Sequence, residues 1–183
     1  MSTVLLVEDY ASDEMLTLRA LRNLGVTVKV DVARDGAEAL DYLFCQGAYA
    51  ERPDEKPKFV MLDLNLPRLG GLEVLSRIRA DPRTTLLPVV ILSSSDHETD
   101  ALQGYVNGAN SYVCKPVGFG EFEAAVQELA LYWLTLNNGP ASGDAGQAFA
   151  LPAGSGLTAA PHDHHAGRSS LASQYDPPAP IAA

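Results

Sequence analysis

The sequence is poor in basic residues and has no long apolar run. Thirteen Lys and Arg stand against 23 Asp and Glu in 183 residues, which gives a formal net charge of -10 at pH 7. Nucleic acids and anionic membranes attract basic protein faces, so neither is expected as the main partner. No run approaches the ~18 apolar residues of a membrane span, and the N-terminus lacks the basic segment and apolar core of a secretion signal. These absences predict a cytoplasmic protein.

Cysteine is also scarce. Cys45 and Cys114 lie in unrelated contexts, which argues against a disulfide framework or a cysteine metal site. We expect both thiols to be reduced, and we expect Cys114, inside an apolar strand pattern, to be buried. The chain is long enough for one ordinary domain to be held together by a hydrophobic core.

Composition divides the chain near Asn138. Residues 1–138 are rich in aliphatic side chains, whereas Gly, Ala, Ser and Pro dominate residues 139–183, which hold six of the twelve prolines. Such a segment cannot bury enough apolar surface to fold, so we predict a folded domain over 1–138 and a disordered tail over 139–183. The tail contains HDHH (162–165), for which weak adventitious metal binding is favoured over a built metal site.

Strand and helix patterns alternate along the first 138 residues. The sequence predicts strands at 4–8, 26–32, 58–63, 87–93 and 111–115, and helices at 12–25, 36–44, 71–80, 96–108 and 119–136. Ser12, Asp35 and Asp96 are the expected N-caps of the first, second and fourth helices. In the first helix, Met15 and Leu21 are expected on one apolar face.

Five strand–helix units in succession predict an α/β domain with a parallel sheet covered by helices on both faces. Only the second strand alternates between apolar and polar residues, as a strand at an edge does. We therefore predict a flavodoxin-like, doubly wound five-stranded parallel sheet in the order 2-1-3-4-5, with five helices.

Polar residues stand at the carboxyl ends of four predicted strands. Glu8 and Asp9 end the first strand and Asp63 the third, whereas Ser93 and Lys115 end the fourth and fifth. In such sheets, ligands bind beyond the carboxyl ends of the strands, at the point where the strand order reverses. Converging carboxylates repel each other, so a counterion is needed. Mg²⁺, which prefers carboxylate, carbonyl and water oxygens, fits this requirement.

This set of groups suits phosphoryl transfer. Asp63 can act as a nucleophile and form an aspartyl phosphate. The metal and Lys115 would neutralise charge on the phosphoryl oxygens. Ser93 would donate a hydrogen bond to one of those oxygens.

Four motifs, VLLVED, VMLDLNLPRLGGLEVL, PVVILSSS and GANSYVCKP, follow one another at domain-scale spacing. Together they resemble the response-regulator receiver domain, the CheY-like family of two-component signalling, from about Val4 to about Leu136. The resemblance implies that Asp63 is the phosphoacceptor and that Asp9 binds the metal directly. It also implies that Glu8 reaches the metal through water and that the backbone carbonyl of Asn65 is a further metal ligand.

The resemblance assigns the remaining site residues to conformational switching. Ser93 matches the switch hydroxyl, Tyr112 the aromatic switch position and Lys115 the lysine of the family pattern. The family has a cis peptide bond between the residues that match Lys115 and Pro116, which X-Pro bonds permit at low cost.

A narrower likeness comes from surface segments. The excursion at 45–57, the DLNLPR turn, ILSSSDHETD and the YWL of the last helix resemble single-domain regulators that pair with bacterial phytochromes. This resemblance implies a sensor histidine kinase as partner, such as a bacteriophytochrome. Because nothing after Asn138 resembles a DNA-binding or catalytic domain, we expect output through contact with an unidentified downstream protein.

Several alternatives stay open at this point. An intermediate phosphorelay carrier would have the same site residues. A pseudo-receiver, which acts only as a binding scaffold, would usually have lost an acid or the lysine, and this chain has both. An aspartate-nucleophile phosphatase often has an acid two residues after the nucleophile, where this chain has Asn65, which cannot transfer protons. Tyr132, Trp133 and Leu136 fit either a core or a homodimer interface through the last helix. We predict a signalling switch and not an enzyme.

Overall fold

The computed structural model describes residues 2–139 of the chain. Five parallel strands form one sheet in the order β2-β1-β3-β4-β5. The strands are β1 (Ser2–Val7), β2 (Val28–Ala33), β3 (Phe59–Leu62), β4 (Val89–Ser93) and β5 (Ser111–Cys114). The helices are α1 (Ala11–Arg22), α2 (Gly36–Phe44), α3 (Gly71–Ala80), α4 (Glu98–Val106) and α5 (Phe119–Leu131). The predicted α/β, flavodoxin-like architecture and its strand order are confirmed.

Two shorter elements complete the described part. A 3₁₀ helix, Gly47–Tyr49, lies in the excursion between α2 and β3, and a π-helical turn, Tyr132–Leu136, continues α5. Between residues 2 and 139, no helix is long and apolar enough to cross a membrane. The predicted tail, with HDHH, lies almost entirely outside the described residues.

The core consists of two layers, one on each face of the sheet. Leu5 and Val7 of β1 belong to the layer covered by α2 and α3, whereas Val4 and Leu6 belong to the layer covered by α1 and α5. Every residue of β3 and β4 is buried. Strands with helices on both faces have no solvent side, which explains their continuous apolar sequences.

The last helix contributes to this core at its C-terminal end. The Trp133 ring is buried and lies 6.4 Å, between ring centroids, from the Phe59 ring of β3. Tyr132 and Leu136 in the same turn are exposed. The aromatic cluster is therefore divided: Trp133 belongs to the core, and its neighbours face solvent.

Two sequence expectations about burial are wrong. Cys114 is exposed, because it is the last residue of a strand at the edge of the sheet. Met15 is exposed as well, since the buried residues of α1 are Thr17, Ala20 and Leu21. Leu21 of the same predicted face is buried, so that face does meet the core and the expectation is wrong at Met15 alone.

Two of the three predicted N-caps are also wrong. The N-cap of α1 is Tyr10 and not Ser12, because the Tyr10 amide bonds to the Glu8 carboxylate and the helix starts at once. The predicted cap Asp35 is confirmed at α2, where its carboxylate accepts a hydrogen bond from the Glu38 amide at 2.8 Å.

At α4, the N-cap is His97 and not Asp96. The hydroxyl of Ser95 organises this turn, because it accepts a hydrogen bond from the His97 amide and donates one of 2.5 Å to the Asp100 carboxylate. A side chain outside the helix therefore provides the local polar contacts expected of Asp96.

Glycine allows α3 to begin against the end of β3. A Cβ atom at Gly71 would lie 2.2 Å from the Asp63 carbonyl oxygen and 2.8 Å from the Leu64 Cα. Both neighbours are backbone atoms, which cannot move aside cheaply. The backbone of Asp63 is therefore fixed between β3 and the first turn of α3.

We predict that Gly71→Ala destabilises the domain by about 1–3 kcal/mol, because overpacking against backbone forces the chain to shift. Gly120→Ala in α5 is the matched control, since a Cβ there would meet no heavy atom within 4 Å. Alanine is the better helix former, so this control is expected to be neutral or slightly stabilising. Urea unfolding of both variants tests the prediction, and equal stabilities would contradict the close packing.

Candidate functional site

The strand order brings the two acidic strand ends together. Val7 of β1 pairs with Leu62 of β3, so the chain leaves both strands at the same level of the sheet. The Asp63 amide donates a hydrogen bond of 3.0 Å to the Val7 carbonyl, and the Glu8 amide donates one of 3.0 Å to the Ala33 carbonyl at the end of β2. The backbone of both acids is therefore anchored to neighbouring strands.

Three carboxylates form a cluster at this point. One carboxylate oxygen from each of Glu8, Asp9 and Asp63 lies within 4.8 Å of the other two. Glu8 and Asp63 are buried, whereas Asp9 is exposed. The structure thus brings together the three acids that the sequence predicts as metal ligands.

Lys115 provides the positive charge of the site. Its Nζ donates hydrogen bonds of 2.7 Å to Glu8 Oε2 and 2.8 Å to Asp63 Oδ2. Lys115 directly follows β5, and its amide donates a hydrogen bond of 2.7 Å to the Ser93 carbonyl. The lysine therefore reaches across the ends of the strands to the two buried acids.

Sequence reasoning missed one acid that contacts this lysine. Asp13 Oδ2 accepts a hydrogen bond of 2.8 Å from Lys115 Nζ. Asp13 lies in the first turn of α1, which begins two residues after Asp9. The sequence does show an acid in the first turn of the helix that directly follows β1. Acids are common there because they interact favourably with the helix dipole, so this position did not point to the site.

The environment of the buried charges shifts their titration. Burial is the largest effect on Glu8 and raises its pKa to about 7, even though the hydrogen bond from Lys115 favours the ionised form. Burial also acts to lower the pKa of Lys115, but its hydrogen bonds to Asp13, Asp63 and Glu8 outweigh this effect and raise the pKa. The ammonium is therefore charged, whereas burial favours the protonated form of Glu8.

The charge balance of the site fits a divalent cation. Three carboxylates pair with one ammonium group and a fourth, that of Asp9, lies beside two of them, which leaves an excess of acid at the end of the sheet. The acids Glu8, Asp9 and Asp63 offer only oxygen donors, which Mg²⁺ and similar hard cations prefer. The residues present therefore match such an ion in both charge and donor type.

Ser93 and Tyr112 meet at the backbone of Ser95. Ser93 is fully buried, and its Oγ accepts a hydrogen bond of 3.2 Å from the Ser95 amide. The Tyr112 hydroxyl donates one of 2.9 Å to the Ser95 carbonyl. A Cβ atom at Gly104 of α4 would lie 3.2 Å from the Tyr112 ring, so the ring packs against that helix. The loop after β4 thus connects the two residues.

Asn65 lies beside the cluster. Its backbone amide donates a hydrogen bond of 3.1 Å to Asp63 Oδ1, which fixes the orientation of that carboxylate. The expected cis bond between Lys115 and Pro116 is absent, since no peptide bond between residues 2 and 139 is cis. The trans form is the lower in free energy even before proline.

Comparisons with known proteins agree with this geometry. The profile of the response regulator receiver domain family matches residues 4–127. A probable methanogenesis regulatory protein, FilR2 of Methanothrix harundinacea, is 40% identical over 137 residues, which cover 75% of this chain and 86% of that protein.

Two solved structures resemble the described fold. The Mn²⁺-bound form of response regulator Rcp1 has a TM-score of 0.72 at 33% identity and matches 77% of this chain and 100% of its own. Response regulator Rcp1 is a protein of a Synechocystis species. The phosphorylated cyanobacterial phytochrome response regulator RcpA has a TM-score of 0.72 at 37% identity, covering 76% of this chain and 98% of that one.

The family profile, the similar proteins and the acids at the strand ends all support the same family assignment. The chain belongs to the response regulator receiver domain family of two-component signalling, in which acceptance of a phosphoryl group is standard.

Proposed function

We propose that Asp63 is the phosphoacceptor and that residues 1–138 form the receiver domain. The observation that carries this proposal is the position of its carboxylate. Oδ2 bonds to Lys115 and Oδ1 to the Asn65 amide, and the same side chain belongs to the acid cluster. Two hydrogen-bond donors therefore orient this nucleophile before the phosphoryl group arrives. Positioning of the reacting groups is a main source of catalysis in phosphoryl transfer.

Glu8, Asp9, Asp63 and the backbone carbonyl of Asn65 are the groups that would hold Mg²⁺. The exposed position of Asp9 suits direct binding, while buried Glu8, already bonded to Lys115, suits contact through water. When bound, the ion neutralises charge on the phosphoryl oxygens. The Mn²⁺-bound form of Rcp1 supports a divalent ion in this family.

The phosphoryl group comes from a phosphohistidine of a sensor histidine kinase. A carboxylate oxygen of Asp63 attacks phosphorus, the new P–O bond forms as the P–N bond breaks, and the electron pair returns to the imidazole of the kinase. Lys115 donates a hydrogen bond to a phosphoryl oxygen. RcpA is described as a phytochrome response regulator, which supports a bacteriophytochrome as the kinase. The phosphorylation takes place in the cytoplasm.

The signal leaves the site through Ser93 and Tyr112. Ser93 moves to donate a hydrogen bond to a phosphoryl oxygen, and its bond to the Ser95 amide is lost. Tyr112, held by the Ser95 carbonyl, then turns into the vacated space and the face of α4 and β5 repacks. Phosphate stabilises a conformation that is already sampled, so its effect is a shift of populations.

The output is a protein contact and not substrate turnover. Asn65 cannot act as the acid or base that a phosphatase of this type needs. The exposed Tyr132 and Leu136 favour an interface at the end of α5, either with a downstream protein or with a second copy of the chain. A terminal switch and a relay carrier share this chemistry.

We predict that Asp63→Asn abolishes labelling by acetyl phosphate in the presence of Mg²⁺, because an amide is a poor nucleophile. The matched control is Asp81→Asn, a surface aspartate that pairs with Arg83. It should be labelled like the wild type. Phosphoprotein mass spectrometry measures both, and labelling of Asp63→Asn at the wild-type level would disprove the assignment.

We predict that Lys115→Ala still accepts a phosphoryl group, but that phosphorylation then has little effect on the conformation of Ser93 and Tyr112. Without its ammonium the buried Glu8 carboxylate is unpaired, which should destabilise the domain by about 3 kcal/mol. Amide NMR shifts of Ser93 and Tyr112 on adding beryllofluoride and Mg²⁺ measure the coupling. Lys29→Ala, which removes a surface pair with Asp31, is the control. Shift changes in Lys115→Ala as large as in the wild type would refute the role.

A further inference from the structure

Asp13 contacts Lys115 although it belongs to none of the strand ends that build the site. It is a residue of α1, and its Oδ2 lies 2.8 Å from Lys115 Nζ. Its side chain is 27% exposed, against 2% for Glu8 and 8% for Asp63. Among the three acids on the lysine, Asp13 is thus the one most accessible to water.

The ammonium group of Lys115 has no hydrogen left for another acceptor. An ammonium carries three N–H donors, and Glu8, Asp13 and Asp63 accept from Nζ at 2.7, 2.8 and 2.8 Å. A phosphoryl oxygen can therefore bond to Lys115 only if one of these carboxylates is displaced.

The surroundings of the three acids decide which bond is given up. Glu8 is buried, and its other oxygen already accepts from the Tyr10 amide, so separating it from the lysine would leave a charge unpaired away from water. With Oδ1 of Asp63 forming the P–O bond, Oδ2 still accepts a hydrogen bond from the ammonium. Asp13 alone can exchange its bond to the lysine for water at small cost.

We propose that Asp13 is a positioning residue that competes with the phosphoryl group for Lys115. In the unphosphorylated protein it shares the ammonium with Glu8 and Asp63, and it is displaced when Asp63 is loaded. Asp13 therefore lowers the affinity of the site for a phosphoryl group. This inference rests on the proposed roles of Asp63 and Lys115.

The test uses beryllofluoride as the phosphoryl analogue, titrated into the full chain at saturating Mg²⁺ and followed by ¹⁹F NMR. Asp13→Asn keeps the shape of the side chain and removes its charge. The loss of a partly exposed ion pair should tighten beryllofluoride binding about fivefold. Asp13→Glu restores a carboxylate and should bring the affinity back towards the wild-type value.

The control is Glu14→Gln, the same loss of charge one residue along α1. Glu14 pairs with Arg34 at 2.8 Å and not with Lys115, so its variant should bind beryllofluoride like the wild type. A general loss of structure would weaken binding, which is opposite to the effect expected for Asp13→Asn.

Asp13→Asn binding no tighter than the wild type would overturn the proposal, and so would an equal gain in Glu14→Gln, which would indicate an effect of total charge. If the wild type itself fails to bind beryllofluoride, the proposed function of Asp63 fails and not this inference alone.

Discussion

Repulsion between carboxylates is the constraint on which the site depends. Glu8, Asp9, Asp13 and Asp63 converge at one end of the sheet, and a single ammonium, that of Lys115, opposes them. The burial that raises the pKa of Glu8 also strengthens each interaction there. Only Glu8 and Asp63 are buried, and the excess of negative charge beside them is of the kind that a divalent cation would offset.

The fold holds this unfavourable arrangement in place from several sides. The order of the strands makes β1 and β3 neighbours, and Gly71 lets α3 begin against the carbonyl of Asp63. Two hydrophobic layers fix the strands, so the acids cannot separate without disturbing the core. The loop after β4 is held differently, by hydrogen bonds between its Ser95 backbone and the side chains of Ser93 and Tyr112. The acids are thus anchored to the core, whereas hydrogen bonds connect the loop after β4 to the ends of β4 and β5.

Sequence reasoning reached the sheet order and the acid cluster because both depend on strong local patterns. Continuous apolar runs that end in polar residues are produced by buried parallel strands, and strand ends meet at a fixed edge. It failed where a tertiary contact decides. Ser12 and Asp96 have good cap chemistry, but carboxylate and hydroxyl groups outside the helices set the starts of α1 and α4. Asp13 was missed because it lies in the first turn of α1 and not at a strand end, where an acid has the pattern of an ordinary helix-dipole residue.

Completion of the acid cluster by a divalent cation is the point on which the proposed chemistry rests. Anomalous diffraction from crystals soaked in Mn²⁺ tests it, because the ion can be located without assumptions about the protein. We expect one strong peak between the carboxylates of Asp9 and Asp63, with Glu8 behind it. If saturating Mn²⁺ gives no peak there, or a peak only at another group of acids, the cluster is not a metal site and the proposed chemistry is wrong.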